Sequence, residues 1–228
     1  MKGILFKPDM IQASVEGRKT HTRRLGGLEE INKEPDKWNL EWFNPNSGIA
    51  SFCRGDLVDG VIEITDAVAK SRYQVGETVY IKERALYWVS PVLEGVKYTK
   101  PSDRWTECVY QDDEEISALL ADNRRLAIVR GVSEIVEGNL AIGKWEWKSS
   151  LHMPEHYARH FITILAVRAE RLQEITPEDC IAEGIIEECG DGLALRDRYE
   201  PLWSSINPTY PFESNPWVFP YEFVKEMG

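Results

Sequence analysis

The chain has 228 residues, enough for one large domain or one small domain with long insertions, and its 43% hydrophobic content with 8 Trp, 9 Tyr and 7 Phe excludes a globally disordered polypeptide. A chain of this length can bury on the order of 70% of its unfolded surface. With 27 Lys and Arg against 38 Asp and Glu, the formal net charge is −11. That balance argues against a protein that coats nucleic acid or an anionic membrane through its overall field, but leaves room for a local basic pocket.

At the amino terminus, MKGILFKPDMIQ has only a short apolar stretch before Lys7 and Pro8, so no secretory signal is expected. No apolar run approaches the roughly 20 residues of a membrane helix. Cys53, Cys108, Cys180 and Cys189 are scattered without a CxxC pair and read as reduced thiols, which points to a cytoplasmic protein.

In chain order, Ile4–Phe6 reads as a first strand and the residues after Pro8 as a helix, with Asp9 as its N-cap and Gly17 as its left-handed terminator. Arg18 to Arg24 is a turn entering a strand. From Gly26 to about Gly55 no period is sustained, and this stretch reads as an insertion rather than core. Strands are expected at Leu57–Thr65, Thr78–Lys82, Ala85–Val89, Arg104–Tyr110 and Trp145–Ser149, with a helix at Asp113–Arg124. Phe161–Leu172 alternates as a strand buried on both faces. Thr176-Pro177-Glu178-Asp179 opens a helix that reaches Glu183, and another helix runs from about Leu193 to Ile206. The last strand, Trp217–Val224, contains Pro220, which suggests an edge or a bulge. Many short strands with a few helices between them indicate α+β with a mostly antiparallel sheet or barrel.

The most unusual text is Gly17-Arg18-Lys19-Thr20-His21-Thr22-Arg23-Arg24, four cations and no acid within an acidic protein. Two readings are open. It is either a solvated basic turn closing the preceding helix, or an anion or nucleotide pocket with hydroxyls from Thr20 and Thr22 and a guanidinium fork from Arg24.

The helix followed by GRKTHTR resembles the G-x-K-x-x-T-x-R signature of the ASCH domain, a PUA-like β-barrel family linked to RNA, here Gly17, Lys19, Thr22 and Arg24. ILFKPDMIQASVEGRKTHTRR, YQVGETVYIKE, KSSLHMP and NPWVFPYEF together resemble the larger ASCH-like proteins of phages and prophages. The resemblance implies a single ASCH domain over residues 1–228, a PUA-like, mostly antiparallel barrel with flanking helices and insertions at about 25–55 and 86–143. Some small bacterial members are N(4)-acetylcytidine amidohydrolases that use a Lys, a Thr and a Glu. Lys19 and Thr22 take the first two roles, and matching ITPEDCIAEGI to the family's helix places the third at Glu183, although Glu178 and Asp179 lie one small shift away. Arg24, Thr20, Arg18 and Glu83 then line the substrate pocket. No cofactor and no metal are implied. The expected ligand is a modified nucleoside or an unpaired RNA base, either hydrolysed or, in a non-catalytic relative, only bound.

The chemistry has two requirements. A Thr hydroxyl attacks an amide only when a neighbouring base takes its proton, and Lys is such a base only when burial or a nearby cation, here Arg18, Arg23 or Arg24, lowers its pKa. Glu183 would orient Lys19 or pass a proton to the leaving amine. Residues 19 and 22 would point to opposite faces of a regular strand, so the pair requires the chain to turn between them.

Other groups have blander uses. His152, His156 and His160 recur every four residues, but Pro154 breaks the helix that would align them as metal ligands. Asp112-Asp113-Glu114-Glu115 reads as the acidic first turn of a helix. Trp145 and Trp147 share a strand face, Trp38 and Trp42 lie in the insertion, and Trp203 and Trp217 belong in the core. An interaction protein would expose an apolar patch, expected at Trp38–Phe43.

Overall fold

A computed structural model describes residues 1–83, 85–89, 108–110, 134–136, 139–141, 144–186 and 194–226. The expected helix at 113–124, the acidic run 112–115 and residues 104–107 lie outside them. In chain order the elements are β1 (Lys2–Leu5), α1 (Pro8–Val15), β2 (His21–Arg24), β3 (Asn39–Asn44), β4 (Ile49–Val58), β5 (Val61–Lys70), β6 (Thr78–Lys82), β7 (Ala85–Val89), β8 (Cys108–Tyr110), β9 (Glu134–Val136), β10 (Asn139–Ala141), β11 (Lys144–Lys148), β12 (Phe161–Val167), β13 (Glu170–Arg171), α2 (Pro177–Ala182), α3 (Leu195–Ile206) and β14 (Trp217–Lys225). The protein is α+β, with mostly antiparallel sheets and few helices. Among the described residues no strand order closes into a ring.

The chain divides into two compact units, Met1–Ile11 with Tyr80–Arg159, and Gln12–Val79 with His160–Gly228. In the first, β11, β7 and β8 form a three-stranded sheet, with Trp145 opposite Trp88 and Trp147 opposite Leu86. Ile4, Tyr80, Ile81 and Met153 are buried there, and the Tyr80 hydroxyl donates to the Met153 carbonyl at 3.2 Å. His152 and His156 fall in separate 3-10 turns.

The second unit is built on β14, which pairs with β12, β13 and β2. Phe219, Tyr221 and Phe223 alternate along it into the core, joined by Ile162 and Ile164 of β12. Pro220 is therefore not at a sheet edge. Its carbonyl accepts from Arg168 N at 3.1 Å, in the gap between β12 and β13. Since N–H and C=O of one residue point to the same side of an antiparallel strand, the missing N–H falls where the ladder is already interrupted. Nor is β12 buried on both faces: the register slips between Ile164 and Ala166, Leu165 turns outward, and Val167 joins the buried side.

The stretch expected to be an insertion is part of this core. Leu28, Ile31, Ala50 and Phe52 are buried, and the Phe52 ring meets Trp217 edge-on at 5.0 Å. Leu28 lies ahead of a 3-10 turn, Ile31 on it, and Ala50 and Phe52 on β4, spacings that no single period captures. The expected strand Leu57–Thr65 is two strands folded at Asp59-Gly60, both with positive φ (49° and 82°), the requirement of a two-residue type I′ turn. Trp203 and Trp217 are buried as expected. Asn32 ties this segment to β14: its Nδ2 donates to the Trp217 carbonyl at 2.9 Å and its Oδ1 accepts from Trp217 N at 2.7 Å.

Replacing Asn32 with Ala leaves two buried backbone groups of Trp217 without partners and is expected to cost about 2–4 kcal/mol. Urea unfolding monitored by Trp fluorescence tests it, and Asn32→Asp, which sets a buried carboxylate oxygen against the Trp217 carbonyl, loses at least as much at neutral pH.

Candidate functional site

Three local structures bring the signature into place, all within the second unit. First, α1 ends in a Schellman motif. Gly17 takes φ +76°, its N–H donates to Ser14 O at 3.2 Å, and Arg18 N donates to Ala13 O at 2.9 Å. Asp9 sits inside the first turn of this helix rather than at its cap, because the helix starts at Pro8 and the Lys7 carbonyl accepts the first bonds. Second, Thr20 N donates to Ala182 O at 2.8 Å, which fastens the turn to the end of α2. Third, α2 begins with a reciprocal capping box between Thr176 and Asp179, with Pro177 in the first turn, as its sequence foretells, and ends with Glu183 as C-cap. A cluster of Leu172, Ile175, Cys180, Tyr199, Trp203, Phe212 and Val218 packs α2 against α3 and fixes where Glu183 stands.

Lys19 and Glu183, 164 residues apart in sequence, meet as a buried ion pair with Nζ to Oε2 at 2.7 Å. The same ammonium donates to the Glu183 carbonyl at 2.7 Å and the His21 carbonyl at 2.8 Å, so three protons have three acceptors. A cation on the last carbonyls of a helix is also favoured by its dipole. Burial pushes the Lys19 pKa down; Glu183 opposes this without reversing it, while Arg24 and Arg23 add to the depression.

Arg23, whose side chain is fully buried, organises the carboxylates. It donates to Glu170 Oε1 at 2.8 Å through Nη2 and 3.1 Å through Nε, to Asp179 Oδ2 at 2.7 Å, and to Glu183 Oε1 at 3.3 Å. Burial works against its charge, but Glu183, Glu170 and Asp179 outweigh it and raise the pKa. Asp179 is the counterpart: burial pushes its pKa up, yet Arg23 and the Thr176 N–H bring it below the ordinary carboxylate value. Arg168 adds looser contacts at 3.5 Å to Glu170 and 3.7 Å to Asp179.

The remaining signature residues divide between two sides of β2. Thr22, buried, stands opposite Tyr221, and Arg24 opposite Phe219, so these two share a face. The Arg24 guanidinium is within electrostatic reach of Glu183, Tyr73, Tyr221 and Tyr199. Tyr221, its ring edge-on to Tyr73 at 5.3 Å, accepts from Arg72 N, and burial pushes its hydroxyl up to about 12. His21 is half-buried, its pKa lowered chiefly by burial, with Nδ1 3.0 Å from Thr20 Oγ1. It lines a shallow depression with Ala166, Arg168, Pro220 and Glu222.

Thus the structure brings Lys19, Arg24 and Glu183 together and sets Thr22 one residue from Arg23. The turn falls at Glu16–Arg18, before Lys19, and Thr20 already pairs with β14, its carbonyl accepting from Phe223 N at 2.8 Å; the three acceptors at the ammonium do not include the Thr22 hydroxyl. Arg18 is turned away onto exposed Glu16 at 2.6 Å. Glu83 belongs to the first unit, where it is buried and paired with Arg159 at 2.6 Å. In the sequence Arg23 stands only as a charge beside Lys19 and Asp179 only as an alternative to Glu183, while Glu170, Arg168 and Tyr199 belong to no motif. One signal for Arg23 was present: a basic cluster in so acidic a chain needs acidic partners. Glu170, in a two-residue strand, carries no comparable mark. Comparison of the chain with family models, with curated proteins and with solved structures yields no match.

Arg23→Met removes the cation from three carboxylates and is expected to cost about 3–5 kcal/mol at neutral pH. The pH dependence distinguishes the two proteins. In the wild type the lowered Asp179 pKa contributes stability above the ordinary carboxylate range that is lost as pH falls through the native value. In the variant the clustered carboxylates gain by protonation, so the deficit shrinks as pH falls toward about 4. Chemical denaturation at both pH values measures it.

Proposed function

We propose that this is an ASCH-type protein with a PUA-like fold whose Lys19–Glu183 pocket takes a modified pyrimidine nucleoside, nucleotide or unpaired RNA base and hydrolyses an N(4)-acyl amide of the N(4)-acetylcytidine kind. The observation that carries the reading is the buried Lys19–Glu183 pair, since residues from the two ends of the chain that the family resemblance names together share one hydrogen-bonded site. In this mechanism a proton shift within the pair yields a neutral amine and a carboxylic acid. Thr22 Oγ adds to the acyl carbon as its proton passes to Lys19, and Glu183 delivers its proton to N4 as the C–N bond breaks. The cytosine amine leaves, the ammonium–carboxylate pair is restored, and water then hydrolyses the acyl-threonine to regenerate the hydroxyl. The lowered Lys19 pKa assists the first shift.

A second reading, a non-catalytic reader of an unpaired or flipped base, is favoured by the ammonium already having three acceptors.

The deciding experiment incubates the protein with N(4)-acetylcytidine and follows cytidine by chromatography. Hydrolysis is expected, falling at least about a hundredfold in Lys19→Ala and Thr22→Ala. Because the reactive amine–carboxylic acid form is a tautomer of the ion pair with the same proton count, kcat/KM is expected to be flat around neutral pH and to fall at high pH, with an apparent pKa below the roughly 10.4 of a free lysine, as the pair loses the proton that Glu183 must deliver. No turnover at high enzyme concentration overturns the hydrolase on this substrate and makes cytidine and RNA binding the next measurement.

A further inference from the structure

The β3–β4–β5 sheet in the second unit has two unlike faces. One carries Ala50, Phe52 and Ala69, all buried, and meets the core through Phe52. The register places the opposite set together: Leu57 pairs with Ile62, Gly55 with Ile64, Ser51 with Val68, and Trp42 with Ser51. Leu57, Ile62, Ile64, Val68 and Trp42 are 75%, 69%, 74%, 69% and 51% exposed. This face carries an exposed stripe of two apolar groups, Leu57, Ile62 and Ile64 at the hairpin end and Val68 with Trp42 further along, separated by one polar row in which Asp66 stands opposite Cys53 and Glu41 accepts from Ser51 at 2.9 Å. The carboxylates and the guanidinium of the outer hairpin, Asp56, Glu63 and Arg54, belong to the opposite set in the register. Along β5 the striped set continues Asp66, Val68, Lys70, so a carboxylate and an ammonium flank Val68.

We propose that this face is the interface of a two-fold dimer, in which the striped sheets of two copies pack on one another as the two layers of a β-sandwich. The five side chains expose roughly 700 Å² per chain, so mutual coverage removes about 1,400 Å² from water, within the range of a stable protein–protein interface. A flat sheet face suits an isologous contact because each strand's outward residues present the same stripe to its copy. Asp66 and Lys70, on either side of Val68, let the carboxylate of each copy meet the ammonium of the other, whereas an anionic lipid surface or nucleic acid would meet the carboxylates Asp66 and Glu41 on this face.

Sedimentation velocity of the full chain across about 1–100 μM tests the assignment, with three variants beside the wild type. A dimer is expected in the wild type. Ile64→Asp and Val68→Asp, both on the stripe, should weaken it at least about tenfold, while Val61→Asp, equally exposed at 63% but on the other face, should leave it unchanged. Two stripe variants guard against one of them failing to fold, which thermal unfolding reports. A monomer throughout the range, an open series of larger species, or a dimer indifferent to both stripe variants would each overturn the proposal.

Discussion

Everything at the candidate site depends on the neutralisation of Arg23 in a place without water. A fully buried guanidinium is tolerated only when its donors are matched by anions held in the right geometry. Here the matching set comes from three separate points: Glu170 on β13, Asp179 in the first turn of α2, and Glu183 at that helix's end. Each point lies on a different stretch of backbone, so satisfying one side chain of β2 fixes the position of β13 and both ends of α2. The capping role of Asp179 adds a further restraint, because the carboxylate that pairs with Arg23 also accepts, at 3.4 Å, from Thr176 N.

That restraint is what holds Glu183 against Lys19. Of the two oxygens of Glu183, Oε1 faces Arg23 and Oε2 faces Lys19, so the carboxylate is shared between a permanent cation and a titratable one. The division has a chemical consequence. Arg23 keeps its proton at any relevant pH, while burial already disfavours the charge on Lys19. A proton passing between Lys19 and Glu183 therefore moves along one hydrogen bond, with Arg23 holding the carboxylate still. A basic run that looks like one feature in sequence is split by the strand into different roles: Lys19 titratable, Arg23 structural, Arg24 beneath a group of tyrosines, and Arg18 on the surface.

The parts of this arrangement that could be read from sequence are those fixed by local rules. Gly17 terminates α1, Thr176 and Pro177 start α2, and the Lys19–Glu183 pairing followed from a family pattern rather than from spacing. The parts that could not be read are those set by tertiary partners. Pro220 looked like an edge signal, but a break between β12 and β13 makes room for it in a central strand. Leu165 faces outward by plain alternation with the buried Ile162 and Ile164, and the bulge beside it brings Val167 rather than Ala166 to the buried side. Gly26 to Gly55 lacks a period because its buried residues come from a loop (Leu28), one 3-10 turn (Ile31, Asn32) and the β3–β4 hairpin, each contributing a few side chains to a core formed with β14. Asp59-Gly60 was legible, as a two-residue turn between apolar alternations, and was passed over only because the strands on either side read as one.

The local charge balance bears on what such a site can select. Lys19, Arg23 and Arg24 are cations and Glu170, Asp179 and Glu183 are anions: all three cations act on Glu183, and Arg23 also holds Glu170 and Asp179, in a low-dielectric interior. A run of four cations suggested a trap for phosphate when only sequence was considered. In the fold, three carboxylates cancel the three buried charges, and the remaining guanidinium of Arg18 is paired with Glu16 on the surface. A neutralised cluster exerts little net pull on a phosphate backbone, but it presents fixed donors and acceptors side by side, the pattern that matches the edge of an uncharged heterocycle. For the proposed reaction this favours discrimination through the base and its acyl amide over attraction of a polyanion, and it reconciles a basic motif with a chain whose net charge is −11.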